Sequence, residues 1–113
     1  MKLNKLETAL LKVIVEENKQ KYPFLEEQLA NLIVLNRTFT GVGMYVNFLY
    51  TNLNDKEESN IISSSKTLLF PQFEYELTYV LFITNSKMHF LEIVTNEDTL
   101  FDNTTNLDDF RLE

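Results

Sequence analysis

The sequence contains no cysteine, two glycines, two prolines and a single histidine in 113 residues. Without cysteine, neither a disulfide framework nor a thiolate metal site is available. Long apolar runs are also missing. The longest candidate membrane segment, 77–83, contains Thr78 and Tyr79 and is far too short to cross a bilayer, so no membrane association is expected. Met1-Lys2-Leu3 leads into an amphipathic segment with Glu7, Glu16 and Glu17, not into an apolar core with a cleavage site. No signal peptide is expected on that pattern, and the expected location is cytoplasmic. Basic residues are in the minority: ten Lys and Arg against 17 Asp and Glu leave a net charge of −7. Such a surface repels phosphate backbones, so no nucleic-acid binding is expected and a basic partner is favoured.

What is present is ordinary for a globular chain, with 44% hydrophobic and 24% charged residues. A chain of this length suits one domain and can bury about two-thirds of its unfolded surface. The acidity is uneven. From Asn96 to Glu113, six acids (Glu97, Asp98, Asp102, Asp108, Asp109 and Glu113) face one base, Arg111, a net −5, which leaves −2 for everything before it. The chain is therefore read as a single domain, 1–113, with an acidic C-terminal segment at about 96–113.

Asn4-Lys5-Leu6-Glu7 has the form of a helix start, an N-cap Asn with Glu three residues on. Leu6, Ala9, Leu10, Val13 and Glu17 follow at helical spacing, which predicts an amphipathic helix over 4–20, widened by Leu11, Ile14 and Val15. Pro23 suits the first turn of a second helix, about 23–31, with Leu25, Leu29 and Leu32 against the core. From Ile33 the period falls to two. Ile33, Leu35, Arg37 and Phe39 are expected on one face, and Val34, Asn36 and Thr38 on the other. Beyond the glycines, Met44, Val46, Phe48 and Tyr50 alternate with Tyr45, Asn47 and Leu49, a hairpin signal. The polar stretch 51–65 reads as a mobile loop, and 66–70 as a short strand stopped by Pro71. Strands are expected over 74–84 and 87–95 around a two-residue turn, Asn85-Ser86. That turn would set Leu81 opposite Phe90, Phe82 opposite His89 and Tyr79 opposite Glu92. Leu100, Phe101, Leu107 and Phe110 are expected to anchor the tail on the domain. The predicted class is α+β: two N-terminal helices packed on an antiparallel sheet of about five strands.

Gly41-Val42-Gly43 raises the question of nucleotide chemistry. A dinucleotide fingerprint needs a third glycine, here Val46, and a following helix, where a strand is expected; no P-loop lysine motif exists. The glycines read as a corner that needs positive φ or close backbone approach. His89, beside Phe90, reads as a packed or half-exposed residue. With no His-Glu-x-x-His or EF-hand spacing, no metal or other cofactor is expected. Asp108-Asp109 reads as a solvated tail pair. Ser63-Ser64-Ser65 lacks an elbow or a base. Glu74 and Glu76 share one expected strand face and Glu92 the opposite one, so paired-carboxylate catalysis has no geometry and no catalytic residue is assigned. Arg37 is expected to form a structural ion pair with Glu92 or a tail acid. Tyr45, Tyr50, Tyr75 and Tyr79 all fall in expected strands, where a ring can pack while its hydroxyl stays wet.

The stretch Asn36 to Phe48, NRTFTGVGMYVNF, resembles the Arg-x-Phe-Thr-Gly-x-Gly-aromatic corner of a group of small uncharacterised bacterial proteins, departing from it at Met44. Leu81 to Thr95 is similar to a strand–turn–strand unit of the same group, and Asp109-Phe110-Arg111-Leu112 to its closing segment. The resemblance implies an α+β fold and no activity. By size and charge alone the chain also resembles bacterial immunity proteins, which neutralise secreted nuclease toxins.

Two functions are expected from this reading. The first is a non-enzymatic protein-binding module, immunity-like, offering Tyr45, Tyr75, Asp98, Asp102, Asp108 and Asp109 to a basic protein such as a toxin domain. The alternative is a small-ligand-binding protein or an enzyme with a pocket between the helices and the sheet.

Overall fold

Asn4 caps the first helix as its sequence requires. Its side-chain oxygen accepts from the Glu7 amide at 2.8 Å, and the Glu7 carboxylate accepts from the Asn4 amide at 2.9 Å. The computed structural model, which describes residues 1–50 and 58–113, extends this helix, α1, over Lys5–Asn18. Leu6, Leu10, Leu11, Ile14 and Val15 form its buried stripe. A short second helix, α2 (Leu25–Ala30), buries Leu25. Leu29 and Leu32 pack against the core beside it.

The strands are β1 (Val34–Phe39), β2 (Gly43–Phe48), β3 (Ser59–Ile62), β4 (Leu68–Leu69), β5 (Thr78–Thr84), β6 (Lys87–Val94) and β7 (Arg111–Leu112). Five form an antiparallel sheet in the order β1-β2-β6-β5-β3; β4 and β7 pair separately. The fold is thus α+β, with both helices at the N-terminus and a five-stranded antiparallel sheet. Met44, Val46 and Phe48, with Tyr79, Leu81 and Ile83, and Met88, Leu91 and Ile93, face the helices in one core.

Several expectations need correction. The 51–65 stretch is not a loop throughout, since β3 occupies part of it; positions 51–57 lie outside the described residues. Position 74 does not begin a strand, because Glu74 and Tyr75 lie in a bend before β5. In β1 the facing slips. A register shift between Val34 and Asn36 buries Val34 and turns Leu35 outward, 55% exposed. The β5–β6 hairpin keeps the expected register only next to its turn, where Thr84 pairs with Lys87 and Ile83 with Met88. A bulge between Phe82 and Ile83 then shifts the pairing by one, so that Phe82 faces Phe90, Leu81 faces Leu91 and Tyr79 faces Ile93. An extra residue on one strand costs less than turning Leu91 and Ile93 out of the core.

The tail lies on the domain, anchored by fully buried Phe101. That ring stacks on Phe73 at 5.9 Å and meets Phe70 edge-on at 6.2 Å. Leu107 and Phe110 pack at the core margin, whereas Leu100 is 63% exposed and anchors nothing. The Thr67 amide donates to the Glu113 carbonyl at 2.7 Å, and the Glu113 amide returns the bond at 2.9 Å.

Candidate functional site

The glycine corner is a structural joint. Gly41 has φ +89, the left-handed conformation that side chains resist, and a Cβ on Gly43 would stand 2.0 Å from the Ile93 carbonyl oxygen. The corner is closed by the chain itself: the Phe101 amide donates to the Gly41 carbonyl at 2.9 Å and the Thr95 amide to the Val42 carbonyl at 2.8 Å.

Arg37 is held by Glu7, not by Glu92 or a tail acid. Its Nε donates to Oε2 at 2.6 Å and its Nη2 to Oε1 at 2.7 Å, a two-point clamp between α1 and β1. The Glu7 side chain is 1% exposed. The hydrogen bonds that Arg37 donates to Glu7, opposed in part by desolvation, raise the Arg37 pKa. The expectation missed this partner because an N3 glutamate reads as a cap, and here one carboxylate serves both the cap and the ion pair.

His89 sits beside the bulge, its Nδ1 3.0 Å from the Thr84 hydroxyl and its ring stacked on Tyr50 at 4.3 Å. Among the described residues, no group of three or more His, Asp or Glu is gathered as metal ligands would be. Tyr79 is buried, and its hydroxyl is not wet: it donates to the Lys66 carbonyl at 2.7 Å and meets the Ser64 hydroxyl.

The surface with chemical character is the sheet face turned away from the helices. One row of outward side chains crosses all five strands, as Asn36, Asn47, Phe90, Phe82 and Ile61 stand in register. Within it Asn47 donates to the Asn36 side chain at 2.8 Å, Phe82 and Phe90 stack at 4.1 Å, and Ile61 is 59% exposed. The adjacent row runs Thr38, Tyr45, Glu92, Val80. Tyr45 meets Phe90 edge-on at 5.7 Å. The Glu92 carboxylate raises the Tyr45 phenol above its ordinary pKa, by side-chain hydrogen bonding first and by charge second.

Beyond Thr78 and Val94 this face runs into an acidic lip. Residues 74–78 and 95–98 are laced together there. The Tyr75 amide donates to the Glu97 carboxylate at 3.3 Å, and the Asn96 side chain donates to the Glu76 carbonyl at 2.7 Å. Glu74, Glu76 and Asp98 are exposed around Tyr75, itself 57% exposed. Among the described residues the salt bridges are Glu16–Lys19, Glu7–Arg37 and Arg111–Glu113, so no lip acid is paired with a base, nor is Glu92.

The six residues expected to form one partner surface therefore divide. Tyr45 lies on the sheet face, and Tyr75 and Asp98 lie on the lip. Asp102 is turned to its own loop, accepting from the Thr104 amide at 2.8 Å and hydroxyl at 2.6 Å, bonds that lower its pKa. Asp108 and Asp109 belong to a 3-10 turn, Leu107–Asp109, which packs beside α1. Sequence reading missed Glu74, Glu76, Glu92, Phe82 and Phe90. A signal existed: residues 67–110 hold eight acids and one base, the whole of the net −7, so the acidity is not confined to the tail.

A groove of about 250 Å³ opens between α2 and the turn end of the sheet, lined mainly by Leu32, Ile33, Leu49 and Met88. Gln28 closes one side, its amide bonded to the Ser86 carbonyl and its carbonyl to the Met88 amide. No helix among the described residues is long and apolar enough to cross a membrane. The chain matches no protein-family model, none of the curated proteins and none of the solved structures with which it was compared.

Proposed function

We propose that this chain is a non-enzymatic binding protein that engages a basic protein through its outer sheet face and the adjoining acidic lip. An immunity-type role, in which the partner is a basic toxin domain, is the particular form of this reading. The observation that carries it is the continuity of the two features: an outer sheet face bearing Phe82, Phe90 and Tyr45 runs into a rim of acids that no base of the described chain neutralises. Aromatic side chains supply affinity at such surfaces, and unpaired charge of one sign steers an oppositely charged partner and rejects others.

The test is capture from the source cells with two baits, the wild type and a variant carrying Glu74→Gln, Glu76→Gln, Glu97→Gln and Asp98→Asn. The wild type is expected to retain a basic protein at low salt and to lose it as salt rises; the variant is expected to retain much less. Folding should hardly change, because surface charges contribute little to stability. Failure to capture a basic protein, or equal capture by both baits, would refute the reading.

A second reading is a small apolar ligand in the groove beside α2. One observation favours it: Ile33 and Leu49, 49% and 57% exposed, face water where Leu32 and Met88 offer apolar contact.

A further inference from the structure

Glu92 is the one charged residue in the two rows that cross the outer sheet face, and its surroundings select among cations. Phe90 and Tyr45 flank it, Val80 follows it in register, and no base of the described chain pairs with it. A carboxylate among rings and a branched aliphatic side chain is poorly matched to a strongly hydrated ammonium. A guanidinium is planar, more weakly hydrated, able to pair with both carboxylate oxygens and able to lie against aromatic rings. We propose that the outer face receives an arginine side chain of its partner, the guanidinium paired with Glu92 and in contact with the rings of Phe90 and Tyr45. This rests on the reading of the face as a site for a basic protein, and it names the group recognised there. The lip acids act differently: they stand on bends and loops in water, where they attract any cation and prefer none.

The experiment needs no identified partner. The isotopically labelled chain, wild type and Glu92→Gln, is titrated with acetyl-arginine amide and with acetyl-lysine amide while backbone amide shifts are followed. Sedimentation of the free protein establishes its oligomeric state. The arginine compound is expected to give saturable shifts at Tyr45, Phe90 and Glu92, with the lysine compound at least about fivefold weaker, as guanidinium selectivity requires. The Glu92→Gln chain, its other shifts unchanged, is expected to lose the response. Equal response to both compounds, shifts centred on Glu74 and Asp98, persistence in Glu92→Gln, or a dimer that occupies this face would each overturn the proposal. The capture experiment depends on the lip acids and not on Glu92. If the lip variant loses its basic partner while the arginine preference fails, this inference falls alone.

Discussion

Two glycines meet two different demands, and substitution separates them. At Gly41 a Cβ would touch nothing within 4 Å, so the cost of a side chain there is the left-handed backbone alone. Gly41→Ala is expected to lose about 1–2 kcal/mol. At Gly43 a Cβ would meet backbone, the Ile93 oxygen at 2.0 Å and the Val94 Cα at 2.8 Å, and neither can move unless β2 and β6 part at that end. Gly43→Ala is expected to lose clearly more than Gly41→Ala in urea denaturation; equal losses, or a smaller loss at Gly43, would contradict this. Tyr79 gives a pH dependence. Burial raises its phenol pKa above the ordinary 10.0, the Ser64 hydroxyl offsets part of that, and the charge of Glu17 adds to it. A raised folded-state pKa means stabilisation fully present below the unfolded value and lost as pH rises through the folded one. Melting temperature is expected to fall above about pH 10. Tyr79→Phe, with a lower melting temperature at pH 8 because two hydroxyl contacts are gone, should fall less steeply. A parallel fall in both proteins would assign the alkaline loss to other groups, among them Tyr45, whose phenol is raised in the same direction.

At the scale of elements, the β5–β6 turn holds Asn85 at φ 51 and Ser86 at φ 64. Two positive φ values in succession belong to the turn whose twist matches a hairpin, and its second position favours glycine. Ser86→Gly relieves a left-handed cost of roughly 1–2 kcal/mol against an added entropy loss of roughly 0.5–1 kcal/mol, so a modest stabilisation is expected, read as a higher urea midpoint with unchanged slope. The bond from Gln28 to residue 86 uses a backbone carbonyl and survives the change. The turn was legible in the sequence because two polar residues separated two strongly patterned runs. The bulge three residues along was not, because an extra residue leaves no mark on an alternating pattern until both strands are set against the core. The same blindness affected the candidate site. The expected register set Glu92 opposite Tyr79, on the face away from Glu74 and Glu76, and treated Glu74 and Tyr75 as strand, whereas the true pairing brings Glu92, Phe90 and Tyr45 onto one face. Helix α1 was the easiest element to read, since the cap, the period and the apolar stripe of Asn4 to Val15 all agree. The clamp from Glu7 to Arg37 was hidden because it joins residues far apart in the chain.

Across the whole molecule, the order β1-β2-β6-β5-β3 divides the large sheet into two locally formed units. The β1–β2 hairpin and the β5–β6 hairpin each close across a short turn. The β2–β6 pairing, Gly43 with Val94 through Asn47 with Phe90, joins them across the intervening chain. Hairpins form in about microseconds, while distant strands must first overcome the entropy of closing a long loop. That seam is therefore expected to close after the two hairpins. Until it closes, β2 and β6 each present a bare backbone edge, the form in which chains recruit one another into aggregates. Residues 67–110, which include β6, carry the entire net charge of the protein. Mutual repulsion between those halves opposes contact between unfinished chains while the seam is open, so the acidity for which we propose a basic partner is expected also to guard the protein before it is finished.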